Sequence, residues 1–231
     1  MTATSSPLNL SNWHPPELTC PDGILQTPVD ARGADWRGQT LPGIDLRGAN
    51  LCRSDLRGTD LSSCPMDNAD LRLALYDSNT RVPDGIDLRS SGAVGPGAKL
   101  SGTFLNNTDL RGMDLRGAVL MGAYLSGSDL SGAILDGVRL VGSDLRDAIL
   151  RGAMCRGTRF STCQLDRADF RGADLSEAGL DGAESIKGAD FSLTSGLGSQ
   201  RDVLLARPYE ELDCWNPLTR KTTRDSLESL S

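Results

Sequence analysis

Residues 108–127 read TDLRG-MDLRG-AVLMG-AYLSG, four consecutive groups of five residues with a leucine at the centre of each. These leucines are Leu110, Leu115, Leu120 and Leu125. An amphipathic helix needs apolar residues at a spacing near 3.6 and a half-buried strand needs a spacing of two, so a period of five fits neither. A short fixed period instead predicts a solenoid, in which each repeat buries its apolar residue against the repeats stacked on it.

The period of five extends over most of the 231 residues and defines 28 repeats. In the first block the central residues are Trp36, Leu41, Leu46, Leu51, Leu56, Leu61, Met66, Leu71 and Tyr76. In the second block they are Leu100, Leu105, Leu110, Leu115, Leu120, Leu125, Leu130, Leu135, Leu140, Leu145, Leu150, Cys155, Phe160, Leu165, Phe170, Leu175 and Leu180, after which one extra residue moves the register to Ile186 and Phe191.

The residues beside each leucine predict how the chain turns. Two positions before it stands a small residue, such as Ala118 or Ala123, which shares the inward face of an extended chain with the leucine. Two positions after it stands Gly in 12 of the 17 repeats from Leu100 to Leu180, as expected for a corner with positive φ. Each repeat is therefore predicted to be a short edge and a corner. Phe160 and Phe170 then belong to a filled interior, which leaves no cleft for catalysis or a cofactor.

This pattern resembles that of the pentapeptide repeat family: a small residue, Asp or Asn, Leu or Phe, any residue, and commonly Gly. The resemblance covers about residues 34–76 and 96–191. It implies an all-β fold, a right-handed quadrilateral parallel β-helix with four repeats in each coil of twenty residues. The 28 repeats would give about seven coils and, at roughly 4.8 Å per coil, a rod on the order of 34 Å long. The stretch 74–85 is similar to an interruption found in many cyanobacterial members.

Five segments are predicted along the chain. They are an N-terminal cap (1–33), a first repeat block (34–76), an interrupting loop (77–95), a second repeat block (96–191) and a C-terminal cap (192–231). Caps are expected because a solenoid exposes unpaired strand edges at both ends.

The C-terminal cap is predicted to contain a short helix over 199–206. Ser199 and Asp202 have the spacing of a capping box, and Pro208 would end the helix. The apolar residues that follow either complete the cap, which is the favoured alternative, or form a dimer contact, so a monomer is favoured. They are Tyr209, Leu212, Trp215 and Leu218.

The segment 77–95 lacks the small inward residue and is rich in Pro, Gly and Ser. Two alternatives stay open for it. The favoured one is a connector that lets the two blocks stack out of register, and the other is a protruding loop that binds a partner. The candidate partner-binding residues are Tyr76, Asp77, Asn79, Thr80, Arg81, Pro83 and Asp84.

The net charge of −7 lies mostly outside the repeats. Residues 34–75 hold six acids and five bases, and residues 96–191 hold thirteen acids and eleven bases. Asp directly before the leucine and Arg directly after it both project outward, so they are predicted to pair with each other. The pairs are Asp45/Arg47, Asp55/Arg57, Asp70/Arg72, Asp109/Arg111, Asp114/Arg116, Asp144/Arg146 and Asp169/Arg171.

A local acidic strip is predicted near the end of the second block, where the acidic residues face only Lys187 as a counter-charge. Its members are Asp174, Glu177, Asp181, Glu184 and Asp190. No face is basic throughout, which argues against direct binding of nucleic acid.

Function is therefore expected from the surface. The favoured hypothesis is a non-enzymatic protein–protein interaction scaffold with an unknown protein partner. An alternative that the family resemblance implies is a DNA mimic that regulates or protects DNA gyrase, which requires an unneutralised acidic strip. A third is a purely structural spacer.

The cysteines and the single histidine, His14, give no ligand spacing, so neither a metal nor another cofactor is expected. Cys64, Cys155 and Cys163 are predicted to be apolar fillers, and a Cys20–Cys214 disulfide is disfavoured because the ends of a rod lie far apart. The sequence contains no membrane-length apolar run and no secretory signal with a basic start, so a cytoplasmic location is predicted.

Overall fold

The computed structural model describes residues 28–230, which form two compact units that divide between Ala98 and Lys99. The first unit is a stack of coils joined by parallel β-bridges, in which most edges contribute one bridged residue. Asp35, Asp55, Leu75 and Val94 form one such column. The repeats are therefore edges of a β-solenoid, because residues about twenty apart pair in parallel.

The first unit begins earlier than the repeat count indicates. Asp30 pairs with Asn50, and Val29 and Ala31 are buried, so residues 29–33 belong to a coil and not to the predicted cap. The period is not visible in the sequence before Trp36, because the preceding edge has no leucine at its centre. The rest of the predicted N-terminal cap, together with His14 and Cys20, lies outside the described residues.

The segment 77–95 closes a coil of the first unit by pairing its backbone with the preceding coil. Arg81 pairs with Asp60, 21 residues before it, and Val94 pairs with Leu75, 19 residues before it. A 3₁₀ helix, Leu88–Ser90, lies between these two pairings. Pairing uses the backbone amides and carbonyls of any residue, so a coil can close without the repeat motif.

The second unit has four columns with a spacing of twenty residues. They run through Lys99, Val119, Arg139, Arg159 and Gly179; Phe104, Tyr124, Asp144, Gln164 and Ser185; Asp109, Asp129, Ile149, Asp169 and Asp190; and Asp114, Ile134, Met154, Asp174 and Ser195. We name the four faces after the first residue of each column: the Lys99, Phe104, Asp109 and Asp114 faces. The steps to Ser185, Asp190 and Ser195 take 21 residues, as the extra residue in the sequence predicts.

The interior consists of the central residues and the small residues two positions before most of them. Leu120, Leu140 and Phe160 are among those with an exposed fraction of 1% or less. Phe170 meets Phe160 edge to face, with ring centroids 5.6 Å apart, and stacks on Phe191 at 5.2 Å. The prediction that these aromatic residues fill the core is confirmed.

Corners of the coils have positive φ, as predicted from glycine. Gly122 and Gly142 have φ of 64° and 72°. Several non-glycine residues occupy the same position, and Thr162 has a φ of 55° there. The left-handed conformation is therefore imposed by the coil even where the side chain disfavours it.

The C-terminal segment forms three helices instead of one: α1 (Gln200–Leu205), α2 (Tyr209–Leu212) and α3 (Thr223–Glu228). Leu204, Leu212 and Leu227 are buried. Trp215 and Thr222 form an antiparallel bridge between α2 and α3.

The predicted capping box at Ser199 is wrong. Ser199 has a helical backbone, with φ −66° and ψ −17°, and its side chain makes no capping bond. The capping box lies at α3, where the Asp225 amide donates to the Thr222 hydroxyl at 3.1 Å and the Thr222 amide donates to Asp225 Oδ2 at 3.2 Å. Thr222 has the extended backbone that a capping residue requires.

Candidate interaction surfaces

Aspartate and arginine on either side of one inward leucine form a recurring ion pair. In Asp114 and Arg116, the arginine Nε donates to Oδ1 at 2.9 Å and Nη2 to Oδ2 at 2.6 Å. The arginine backbone amide also donates to Oδ1, at 3.0 Å. All seven predicted pairs adopt this bidentate arrangement. The prediction of outward pairs is confirmed, and most of the outward charge is neutralised locally.

The pairs also keep the carboxylates ionised. Hydrogen bonds from the Arg47 guanidinium lower the pKa of Asp45 to about 2, and those from Arg37 do the same for Asp35. Asp169 has an exposed fraction of 0% and accepts bonds from both Arg171 and Arg151. Burial raises its pKa, but the bonds from the two guanidinium groups outweigh burial, so the pKa is lowered. This carboxylate links two coils.

The five residues of the predicted acidic strip do not lie together on the surface. Asp190 is 1% exposed, and its Oδ2 atom has no hydrogen-bond partner among the described residues. Asp174 forms an ion pair with Arg156, with Oδ2 2.6 Å from Nε. Glu177, Asp181 and Glu184 are exposed. Three exposed acids therefore remain of the five.

Three of the candidate partner-binding residues make contacts that hold the coils of the first unit together. Tyr76 is buried, its hydroxyl donates to the carbonyl of Pro96 at 2.7 Å, and burial raises its pKa to about 12. Asp77 Oδ1 accepts from the amides of Gly58 and Thr80 at 2.9 and 3.0 Å. The Thr80 hydroxyl donates to the carbonyl of Leu56 at 2.8 Å. These internal contacts account for the three side chains, so no binding partner is needed to explain them.

The other four candidates of this segment are more accessible. Asn79, Arg81 and Asp84 are exposed, and Pro83 is half-buried. Arg81 lies 3.7 Å from Asp60, so its charge is partly neutralised. An open cavity of about 380 Å³ lies beside them, lined by Tyr76, Val82, Ile86, Leu88 and Arg89 among others.

A pair of exposed aromatic residues stands on the repeat surface of the second unit. Phe104 is 68% exposed and Tyr124, on the next coil, is 42% exposed. Their rings are parallel within 8°, with centroids 4.5 Å apart. An open concavity of about 330 Å³ continues from Tyr124 towards Gln164 and Glu184. The sequence contained the signal, since both aromatics precede a central leucine and stand twenty residues apart.

The C-terminal apolar residues differ in exposure. Leu212 is 1% exposed, as the predicted cap requires. Tyr209, Trp215 and Leu218 are 68%, 55% and 57% exposed. The dimer alternative therefore depends on these three residues.

The structure offers little reactive chemistry over the part of the chain that it describes. No group of three His, Cys, Asp or Glu side chains there is arranged to hold a metal ion, and none of the helices there is long and apolar enough to cross a membrane. Cys64, Cys155 and Cys163 are buried, as predicted, and Cys214 is a free thiol. Burial raises the pKa of Cys163 to about 11 and raises that of Cys155 as well, so neither is a ready nucleophile.

Comparisons with known proteins give one family. The model for pentapeptide repeats matches in eight copies, over residues 40–72 and in overlapping stretches over 97–132, 114–152, 128–166, 143–182 and 153–195. No curated protein matches the chain.

The chain is similar to several solved structures. One is a pentapeptide repeat protein from the thylakoid lumen of Arabidopsis thaliana, with 28% identity, 58% of this chain and 89% of that chain covered, and a TM-score of 0.35. Another is HetL, a protein involved in regulating heterocyst differentiation in the cyanobacterium Nostoc, with 21% identity, 77% and 94% covered, and a TM-score of 0.31. A third is QnrB1, a plasmid-mediated fluoroquinolone resistance protein, with 19% identity, 75% and 89% covered, and a TM-score of 0.33.

Proposed function

This chain belongs to the pentapeptide repeat family, and from that premise we propose that it is a non-enzymatic protein–protein interaction scaffold whose partner docks on the Phe104 face. The observation that carries the proposal is the stacked pair Phe104 and Tyr124, exposed on a surface that is otherwise mostly polar. Aromatic side chains supply large contact area at low cost in conformational entropy, and they are enriched at binding hot spots. Burying this pair is therefore a source of affinity.

The surroundings of the pair support a binding role. Gly122 and Gly142 line the concavity beside Tyr124 and carry no side chains that would obstruct a partner. Asp144 and Arg146 line it as well, but they are joined at 2.7 Å and offer polar contacts without a net charge. The arrangement resembles an apolar anchor with a polar rim, as in protein–protein interfaces.

The two alternatives are supported less well. A DNA mimic requires a continuous unneutralised acidic strip, whereas Asp190 is buried and Asp174 is paired with Arg156. A purely structural spacer gives no reason for two stacked aromatics to face solvent. A cytoplasmic location and a monomeric state belong to the same proposal. The free thiols of Cys52 and Cys214 fit a reducing compartment.

Site-specific cross-linking tests the proposal. A photoreactive phenylalanine analogue replaces Phe104 in cells, and the same analogue replaces Met154, which is 39% exposed on the Asp114 face, as the matched control. We expect a protein adduct of defined mass from position 104 that is absent from position 154. The same adducts from both positions, or none from position 104, would contradict the proposal. Inhibition or protection of purified gyrase at micromolar protein would favour the DNA mimic instead.

A further inference from the structure

Two arginines on neighbouring coils lack the ion pair that the other arginines of the second unit's coils form. Nine arginines lie between residues 99 and 197, and seven of them pair with an aspartate. The two exceptions, Arg139 and Arg159, form no ion pair with any described residue. Both residues are exposed, and their backbones form a parallel β-bridge on the Lys99 face.

The composition of this face explains the missing partners. Each of the other faces has Asp at one or more of these positions, whereas the Lys99 face has Lys99, Val119, Arg139, Arg159 and Gly179. The glycine that ends the column has no side chain to act as a counter-ion. Asp181 on the last coil is exposed, and no ion pair joins it to Arg159. Paired strands lie about 4.8 Å apart, so two like charges on adjacent rungs repel each other.

An apolar strip runs beside the two arginines. Met121, which is 43% exposed, and the half-buried Val141 follow the central leucines of two consecutive coils on this face. The corner between the Lys99 and Phe104 faces consists of glycine at positions 102, 122 and 142. A partner seated on Phe104 and Tyr124 therefore meets no side chain at these three glycine positions.

We infer that the Lys99 face binds an acidic protein segment that also carries aliphatic side chains, with its carboxylates on Arg139 and Arg159 and its apolar side chains on Met121 and Val141. The arginines supply charge complementarity, and the apolar strip selects against a ligand that is only charged. Duplex DNA is disfavoured because its phosphate backbone carries no aliphatic side chains to cover Met121 and Val141. This inference rests on the proposed function, since it states the chemistry of the partner.

A peptide titration tests the inference on the full chain. The probe is a twelve-residue peptide of four Glu-Glu-Leu repeats, and the control peptide has Gln in place of Glu. Binding is followed by fluorescence anisotropy and by the methyl NMR signals of the protein. We expect the Met121 methyl signal to shift with the acidic peptide alone and the Met154 signal, on the Asp114 face, to stay in place. Saturation is expected below 1 mM, because affinities of isolated segments of this size are modest, on the order of 0.1 mM.

Two charge-matched variants decide the assignment. Arg139→Gln with Arg159→Gln is expected to weaken peptide binding at least tenfold. Arg111→Gln with Arg116→Gln removes the same charge from paired arginines and is expected to change it less than twofold. Equal losses of peptide affinity in both variants would show that the peptide responds only to the net charge of the protein, and would overturn the inference. No binding of the acidic peptide at 1 mM would overturn it as well.

Other ligand classes are distinguished in the same experiment. Duplex DNA and vesicles with anionic lipids are compared with the peptide in the same assay. If either binds more tightly than the peptide and that binding depends equally on Arg139 and Arg159, the ligand of the Lys99 face is a nucleic acid or a membrane and the inference of an acidic protein segment is overturned. Failure of the proposed function is separate, because it is read from cross-linking at position 104. Peptide binding without a cross-linked partner would leave the charged site standing and remove the aromatic one.

Discussion

The ring of Phe104 lies flat on the ring of Tyr124 in the next coil, with centroids 4.5 Å apart and an angle of 8° between the planes. Both side chains face solvent, at 68% and 42% exposure. Such a stack contributes modestly to folding, and its apolar faces remain available to a partner. The pair can therefore be removed without loss of the coil.

Replacing Phe104 by Ser is expected to lower the free energy of unfolding by about 0.5–1.5 kcal/mol, because it removes one aromatic contact and no core packing. Replacing the buried Phe170 by Ala, by contrast, is expected to lower the free energy of unfolding by about 3–5 kcal/mol. Urea unfolding measures both, and a double-mutant cycle with Tyr124→Ser isolates the stack. A coupling energy of zero in that cycle would show that the rings do not stack in solution.

Among the paired carboxylates, replacing Asp169 is expected to cause the largest loss of stability. Asp169→Asn leaves Arg151 and Arg171 without a counter-charge at a side chain that is 0% exposed. We expect a loss of about 2–4 kcal/mol of unfolding free energy, because breaking a buried pair leaves its partners unsatisfied. Asp109→Asn, at a side chain that is 62% exposed and paired with Arg111, serves as the exposed control and is expected to cost less than about 1 kcal/mol. Similar losses in the two variants would refute the difference.

Stability is expected to fall at acid pH. The pKa values of Asp35, Asp45 and Asp174 are lowered to about 2 by hydrogen bonds from arginine or serine side chains, from an ordinary value of 3.8. A lowered folded pKa stabilises the fold above the unfolded value, and this contribution is lost as the pH falls through the folded value. The urea midpoint should therefore stay flat from about pH 8 to 5 and decline between about pH 4 and 2. A midpoint that rises over that acid range would contradict the pairing.

Thr162→Gly is expected to stabilise the second unit. Thr162 adopts a φ of 55° at a corner where most repeats have glycine, and a β-branched residue is strained there. Relief of this strain exceeds the added entropy of an unfolded glycine, so a gain of about 0.5–1 kcal/mol is expected. The reverse change, Gly152→Thr at a φ of 63°, should destabilise. Thermal melts of both variants measure the two effects, and a fall in Tm for Thr162→Gly would disprove the strain.

Gly95→Ala tests whether the segment 77–95 closes a coil. A Cβ at Gly95 would lie 2.6 Å from the carbonyl oxygen of Tyr76 and 2.8 Å from its ring. We expect a loss of about 1–3 kcal/mol, as for overpacking of a core. The control is Gly179→Ala, where the nearest atom is 3.7 Å away and φ is not positive. A protruding segment would instead tolerate both substitutions, as seen by urea unfolding.

Part of the candidate surface follows from the sequence, because repeat spacing assigns each residue to a face. The pairs such as Asp114/Arg116 were predictable in this way, since both residues flank one inward leucine. Asp174 was placed in an acidic strip because its partner, Arg156, is 18 residues away on the preceding coil. Contacts between coils join residues that are distant in sequence, and local patterns do not report them.

The sequence by itself determined the solenoid and the identity of the inward side chains, and its resemblance to the pentapeptide repeat family implied the stacking interval of twenty residues. A period of five with one leucine in each repeat admits one way to bury that leucine, so these features needed no long-range information. The tertiary structure alone decided the burial of Asp190, the closure of a coil by 77–95, and the positions of α2 and α3. It also showed that Arg139 and Arg159 have no counter-ion among residues 28–230, since an ion pair depends on which side chains meet across coils.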